Sequence, residues 1–175
     1  MVIIEGCDNS GKSQLIMSLL QAMPNCSILK SPGPGNIETL GFWILTMIHL
    51  ADLKPIIFDR FPVISEEIYG KTLRNINVLE SWGDRVFWDL FKDSHPLIIY
   101  CRPPLAKILD FGTREQMEGV KEHVIELVDH YDYLMTNLRK EGLAILEYDF
   151  TGGVLDKEVI SATIREYFSR SGFTV

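Results

Sequence analysis

The chain has 175 residues, 46% of them hydrophobic, enough for one domain that buries roughly two-thirds of the surface its unfolded form exposes. Seventeen Lys+Arg against twenty-four Asp+Glu leave a formal charge of −7, which excludes a protein that coats nucleic acid by bulk positive charge and leaves room only for a local basic site. Cys7, Cys26 and Cys101 form no CxxC pair, no apolar run reaches about 18 residues, and no basic stretch precedes a cleavage site; these argue against a disulfide scaffold, a membrane span and a secreted precursor, and the expectation is reduced thiols in a cytoplasmic compartment.

Val2-Ile3-Ile4 is the first strand. From Gly11 to Met23, Leu15, Ile16, Leu19, Leu20 and Met23 recur at helical spacing. Ser27–Leu29 reads as a short strand, and Ser31-Pro32-Gly33-Pro34-Gly35 as a loop, since its prolines and glycines suit no regular structure. Ile37, Leu40, Ile44, Met47, Ile48 and Ala51 share one face of the next helix. Pro55–Phe58 is a buried strand ending at Asp59, and Phe87, Trp88 and Phe91 form a helical stripe. Leu97–Cys101 is a strand stopped by Pro103-Pro104. Val120, Val124, Leu127, Tyr131, Leu134 and Leu138 predict a long amphipathic helix. Leu143–Leu146 is the last strand, and Val159, Ile160, Ile164, Tyr167 and Phe168 mark a closing helix.

Continuous apolar strands imply a sheet covered on both faces, and strand–helix alternation makes it mostly parallel. The expected fold is α/β, a three-layer sandwich with a five-stranded mostly parallel sheet flanked by helices, one domain over 1–175. Ligands of such sheets lie beyond the carboxyl ends of the strands, here after Ile4, Leu29, Phe58 and Cys101.

Gly6-Cys7-Asp8-Asn9-Ser10-Gly11-Lys12-Ser13 matches GxxxxGK[ST] between a predicted strand and a predicted helix, the context this motif requires. Its glycines let backbone N–H groups turn inward around phosphates, and the helix N-terminus adds partial positive charge. The motif predicts a P-loop NTPase in which Gly6 to Ser13, with Gln14, bind ATP. Lys12 would neutralise the β/γ oxygens, and Ser13 would offer its hydroxyl to Mg²⁺. No NKxD-like guanine-reading loop follows a later strand, because Thr136–Arg139 lies inside a helical pattern, and the chain is short for a motor or helicase. A small kinase remains. Asp59-Arg60, alone, reads first as a helix cap with a surface ion pair. At the sheet edge that carries the phosphate loop, the carboxylate can hold the metal or take the acceptor's proton, and the guanidinium can fork onto a phosphate.

Val2–Ser13 resembles the opening strand and loop of the thymidylate kinase family, including a loop Asp at position 8. Pro32-Gly33 resembles the end of its Arg-Glu-Pro-Gly motif. Asp59-Arg60-Phe61, with Ser65 and Gly70 at matching offsets, is similar to its DR(Y/F) segment, and Pro103-Pro104, His123, Leu127, Tyr131 and Leu134 follow its post-lid pattern. Ile64–Gly70 and Gln116–Val120 look closest to small kinase-like proteins of tailed bacteriophages, some of which phosphorylate 5-hydroxymethyluracil within phage DNA. The resemblance implies a nucleoside monophosphate kinase-like fold, Asp8 as a second base or sugar-hydroxyl contact, and an acceptor site at Pro32, Gly33, Arg60, Ser65 and Tyr69. Departures accompany it. Lys30-Ser31 replaces Arg-Glu, Asn9 stands for a loop Arg, and Cys101 for an Asp that ends the fourth strand. About 25 residues between Gly33 and Asp59 leave no room for the family's extra helix that clamps a thymidylate base. An open acceptor side suits a base flipped out of DNA, and equally a broad-range nucleotide kinase.

Lys107, Asp110–Arg114 and Gln116–Gly119 form an expected lid around 105–119, from which Arg102 and Arg114 would reach the transferring phosphoryl. Trp43, Trp82 and Trp88 are base-stacking candidates; core packing is the simpler account of Trp88, and Phe42 or Trp43, which follow the Pro-Gly loop, is the candidate to approach an acceptor base. His49, His95, His123 and His130 lack metal-ligand spacing with the cysteines, which receive no chemistry. Together these residues predict an ATP- and Mg²⁺-dependent phosphotransferase. Lys12, Asp59, Asp8, Arg60 and Arg114 are its catalytic residues, Ser13 and Asp59 its metal side, and Arg102 a donor contact. The first expected acceptor is the 5-hydroxymethyl group of 5-hydroxymethyl-deoxyuridine in DNA, a step in thymine hypermodification, gripped by Lys30, Arg60, Lys71 and Arg74. Two alternatives stand beside it: a thymidylate or deoxynucleoside monophosphate kinase, and a non-catalytic ATP-binding switch, against which Asp59-Arg60 argues. The expected state is a monomer or homodimer with no membrane partner.

Overall fold

The computed structural model describes every residue except Pro34, Gly83, Phe111, 113–117 and 153–155, and leaves out the side chains of Ser81, Trp82 and Asp84. Five strands, β1 (Val2–Glu5), β2 (Ser27–Lys30), β3 (Ile56–Asp59), β4 (Leu97–Cys101) and β5 (Ala144–Tyr148), form one sheet in the order β2-β3-β1-β4-β5. Among the described residues every pairing in it is parallel, so the predicted mostly parallel sheet is present. The helices are α1 (Lys12–Ala22), α2 (Ile37–Ala51), α3 (Pro62–Ser65), α4 (Lys71–Arg74), α5 (Asp84–Asp93), α6 (Leu105–Leu109), α7 (Val124–Lys140) and α8 (Lys157–Arg170).

Strand side chains alternate between faces, which divides the core in two. Val2 and Ile4 of β1 pack with Leu15 and Leu19 of α1 and with Ile160 and Ile164 of α8. Ile3 points the other way, into a cluster with Ile44 of α2, Phe91 of α5 and Leu127 and Tyr131 of α7. All residues of β1 and β4 are buried, which is why both read as unbroken apolar runs. Among the described residues no helix is long and apolar enough to cross a membrane.

Most boundaries fall near their predicted positions, and local chemistry sets the differences. Gly11 has a left-handed φ of 89° and caps α1, so the helix begins at Lys12. Asn36 caps α2 by accepting the Thr39 N–H, and Asp156 caps α8 by accepting from Glu158 and Val159. The predicted helix from Val120 starts only at Val124, after a run of turns.

The segment after β3 was not legible as a helix. Pro62 opens α3 at its first turn, Glu66–Gly70 widens into a π-turn, and α4 follows until Asn75 at φ 53°. Two contacts hold the widened turn. Buried Glu66 accepts Arg74 Nη2 on both carboxylate oxygens at 2.7 Å, and the Gly70 carbonyl accepts the Ile76 N–H at 3.1 Å. A Cβ on Gly70 would stand 2.6 Å from the Ile76 carbonyl oxygen, a backbone atom that cannot swing aside. Gly70→Ala is therefore expected to destabilise the protein by about 1–3 kcal/mol, read as a lower urea midpoint at unchanged slope. An unchanged midpoint would mean that the π-turn gives way freely.

Candidate active site

The register of β1 on β3 sets Ile4 opposite Asp59, and the Arg60 N–H donates to the Ile4 carbonyl at 3.0 Å. The phosphate loop leaving β1 and the Asp59-Arg60 turn leaving β3 therefore emerge side by side. They wall one cleft of about 490 Å³, together with Lys30 and Phe150; its other walls are the loop residues from Asp8 to Gln14.

Glycine is required twice in the loop. Gly6 has φ 146°, and a Cβ there would meet the Cys101 carbonyl oxygen at 2.5 Å, so the loop passes directly against the end of β4. At Gly11, φ 89°, a Cβ would meet the Phe150 ring at 2.6 Å. Asn9, also left-handed, donates its side-chain amide to the carbonyls of Lys107 (2.8 Å), Ile108 (3.2 Å) and Asp110 (2.8 Å). These are carbonyls that the end of α6 leaves without intrahelical partners. Where the resembled family carries an Arg, this chain carries an anchor between the phosphate loop and the start of the expected lid.

Lys12 is buried, and its Nζ donates to the carbonyls of Gly6 (2.8 Å) and Cys7 (2.6 Å). Burial first, and the Arg60 charge second, lower its pKa from 10.5 to about 8. Ser13 is exposed, and the Asp59 carboxylate has no hydrogen-bond or ion-pair partner among the described residues. A hydroxyl and an unengaged carboxylate on one cleft are hard oxygen donors, a set that suits Mg²⁺, which takes one or two protein oxygens beside substrate phosphates. Among the described residues no three His, Cys, Asp or Glu side chains gather to hold a metal by themselves.

Arg60 carries φ 69°, a conformation that costs a non-glycine residue about 1–3 kcal/mol and persists only where its surroundings impose it. Its Nη2 donates to Asp8 Oδ1 at 2.7 Å, and its guanidinium lies 4.4 Å from the centroid of the Tyr69 ring. Asp8 and Arg60, singled out separately in the sequence, thus touch. Behind the turn, Phe61 N–H donates to Glu5 Oε1 at 2.8 Å and Tyr131 Oη to Glu5 Oε2 at 2.9 Å. Glu5 is fully buried, and that burial raises its pKa. Sequence reasoning missed it, although a carboxylate ending an apolar strand just before the loop was a signal. Ser65 Oγ and Tyr69 Oη are buried without a hydrogen-bond partner among the described residues.

Other expected site residues lie apart. Pro32 and Gly33 sit on the loop after β2 and do not wall the cleft; nothing lies within 4 Å of a Cβ built on Gly33. Arg102 forks onto Asp132 of α7, with Nε 2.9 Å from Oδ1 and Nη2 2.9 Å from Oδ2, and is not a wall of the cleft either. Arg114, Gln116 and Met117 lie outside the described residues, as does the Trp82 side chain. The expected basic groove needs correction. Arg60 is paired with Asp8, Lys71 with Glu67 and Glu80, and Arg74 with Glu66, which leaves Lys30 as the member that no described acid pairs. Trp43 packs against Phe58 and Phe61, and Trp88 against Phe91, as core aromatics; Phe42 is 75% exposed. His130 meets Thr72 Oγ1 and His123 meets Glu126. Phe150, which lies beyond β5, carries no motif or spacing that would single it out in the sequence.

The sequence matches no protein-family model and no curated protein sequence. The fold does have solved counterparts. The crystal structure of YorR from Bacillus subtilis, in complex with phosphorylated GDP, superimposes with a TM-score of 0.68 at 19% identity, covering 98% of this chain and 96% of that one. Deoxyadenosine kinase from M. mycoides with bound dATP gives 0.56 at 17% identity, covering 96% and 98%. Thymidylate kinase from Candida albicans gives 0.54 at 10% identity, covering 98% and 91%. The chain shares their fold.

Because the folded-state pKa of Lys12 is depressed, the unfolded chain binds more protons between about pH 8 and 10.5, and stability from this group rises with pH across that window. Lys12→Met removes the term. The stability of wild type minus that of Lys12→Met should grow by about 2–3 kcal/mol between about pH 7 and pH 10 in denaturant titrations. A flat difference would mean a solvated ammonium.

Proposed function

We propose that the protein is an ATP-dependent kinase that transfers the γ-phosphate to a free thymine-type deoxynucleotide, forming the diphosphate. One observation carries this reading: the phosphate loop, the unpartnered carboxylate of Asp59 and the guanidinium of Arg60 wall a single cleft. The loop N–H groups and Lys12 would bind the donor's phosphates. Their anionic oxygens are stronger acceptors than the two neutral carbonyls that Lys12 now holds. Ser13 and Asp59 would hold Mg²⁺, which when bound neutralises charge on the phosphates. Arg60 has the fork to take an acceptor phosphate, and Asp8 already shows the anion it prefers. A monophosphate acceptor attacks with an oxygen that is already anionic and needs no base; a hydroxyl acceptor would give its proton to Asp59. That the structural counterparts include a deoxyadenosine kinase and a thymidylate kinase supports a substrate of nucleotide type.

A second reading, transfer to the 5-hydroxymethyl group of a deoxyuridine flipped out of DNA, is favoured by one feature. Among the described residues helix α2 alone connects β2 to β3, with no second helix in that connection to wall the acceptor side. The ion pairs of Arg60, Lys71 and Arg74 and the charge of −7 weigh against a DNA backbone in that place.

Labelled ATP offered with dTMP, other free deoxynucleotides or 5-hydroxymethyluracil-containing single strands separates these readings. Label is expected in a free deoxynucleotide, and folded Lys12→Ala is expected to transfer none. Label entering only DNA, and falling steeply with added salt, would install the second reading. ATP bound with no acceptor labelled would leave a nucleotide-binding switch.

A further inference from the structure

We propose that Glu5 is the positioning residue for Arg60, setting the acceptor side of the cleft by accepting the Phe61 N–H. The kinetic part of this inference rests on the kinase reading above; the structural part does not.

Along an extended strand, successive N–H groups face opposite neighbours. The Asp59 carbonyl accepts from Ser31 on the β2 side, and the Arg60 N–H donates to Ile4 of β1. An extended Arg60 would send the next N–H, that of Phe61, back toward β2. Its left-handed φ of 69° turns that group to β1 instead, where the ladder has ended and the Glu5 side chain supplies the acceptor at 2.8 Å. The same turn aims the Arg60 side chain at Asp8 and over Tyr69. A strained Arg needs such a clamp, and without Glu5 the buried Phe61 N–H would have no partner.

Glu5 is itself clamped from the far side. Its second oxygen takes the Tyr131 hydroxyl, and the Tyr131 ring stacks on Tyr100 with centroids 5.7 Å apart and meets Tyr69 edge-on at 6.1 Å. A fully buried carboxylate held by two neutral donors is costly compared with a leucine in the same space. What it supplies in return is an oxygen at the one backbone N–H that the Arg60 turn leaves over.

Three variants test this. In Glu5→Leu the acceptor KM is expected to rise about tenfold while the ATP KM stays within about twofold, because the donor loop keeps its own anchors. In Glu5→Gln the amide oxygen can still accept from Phe61, and the acceptor KM should return to within about threefold of wild type. Tyr131→Phe loosens Glu5 without emptying the core and should raise the acceptor KM about threefold, which keeps the test open if Glu5→Leu does not fold. Crystal structures of the variants give a readout apart from activity. In Glu5→Leu, or failing it Tyr131→Phe, Arg60 should leave the left-handed region or lose its contact with Asp8. An Arg60 turn and acceptor KM unchanged by these variants, or acceptor and ATP KM moving together, would overturn the inference. A wild-type protein that binds ATP but labels no acceptor would sink the kinase reading alone, and the geometry of the Arg60 turn would then decide the role of Glu5.

Discussion

Strand β1 runs between β3 and β4, parallel to both, and that position dictates which groups meet in the cleft. Parallel pairing brings the carboxyl ends of all three strands to one edge, and the register of Ile4 on Asp59 fixes which residues come out together. From β1 comes the phosphate loop, pressed so closely on Cys101 at the end of β4 that only glycine fits at position 6. From β3 come Asp59 and Arg60. A slip of one residue between β1 and β3 would turn the apolar side chains of β3 to the wrong faces and would part Arg60 from Asp8. The core that holds the register and the groups that form the cleft are therefore specified by the same backbone ladder.

At that edge each main cation has a stand-in partner. Lys12 rests on the carbonyls of its own loop, and Arg60 rests on Asp8. The two differ in what an incoming anion must displace. On the kinase reading proposed above, the neutral carbonyls would yield readily to phosphate oxygens, whereas an acceptor phosphate would have to share Arg60 with a carboxylate. Asn9 ties the loop to the end of α6 through three carbonyls, so any rearrangement of the loop on binding is felt where the expected lid begins.

How much of this was legible in the sequence follows from the range of the contacts involved. The sheet was legible because burial on both faces leaves unbroken apolar runs such as Leu97–Cys101, and the phosphate loop because its chemistry lies within eight consecutive residues. Asp59 and Arg60 were legible as strand-end groups beside that loop. Glu5 was not, since its partner Phe61 is 56 residues away and only the left-handed turn at Arg60 brings the N–H within reach. The π-turn depends on Glu66 choosing Arg74 and on Gly70 meeting Ile76, choices no periodicity encodes. Lys71 and Arg74 looked like a groove because a sequence lists cations without saying which acids take them, and the pairing of Arg102 with Asp132 spans 30 residues.

On the kinase reading proposed above, one cleft holds both the donor's phosphates and the acceptor. Calorimetric binding of a bisubstrate, adenosine joined to thymidine through a polyphosphate chain, tests it most directly. If the phosphate loop and the Asp59-Arg60 turn act on one transferring group, the bisubstrate should bind about 100-fold more tightly than ATP, roughly 2.7 kcal/mol, and Arg60→Ala should remove most of that gain while leaving ATP affinity near its wild-type value. A bisubstrate that binds no more tightly than ATP, in wild type and Arg60→Ala alike, would rule out a shared cleft.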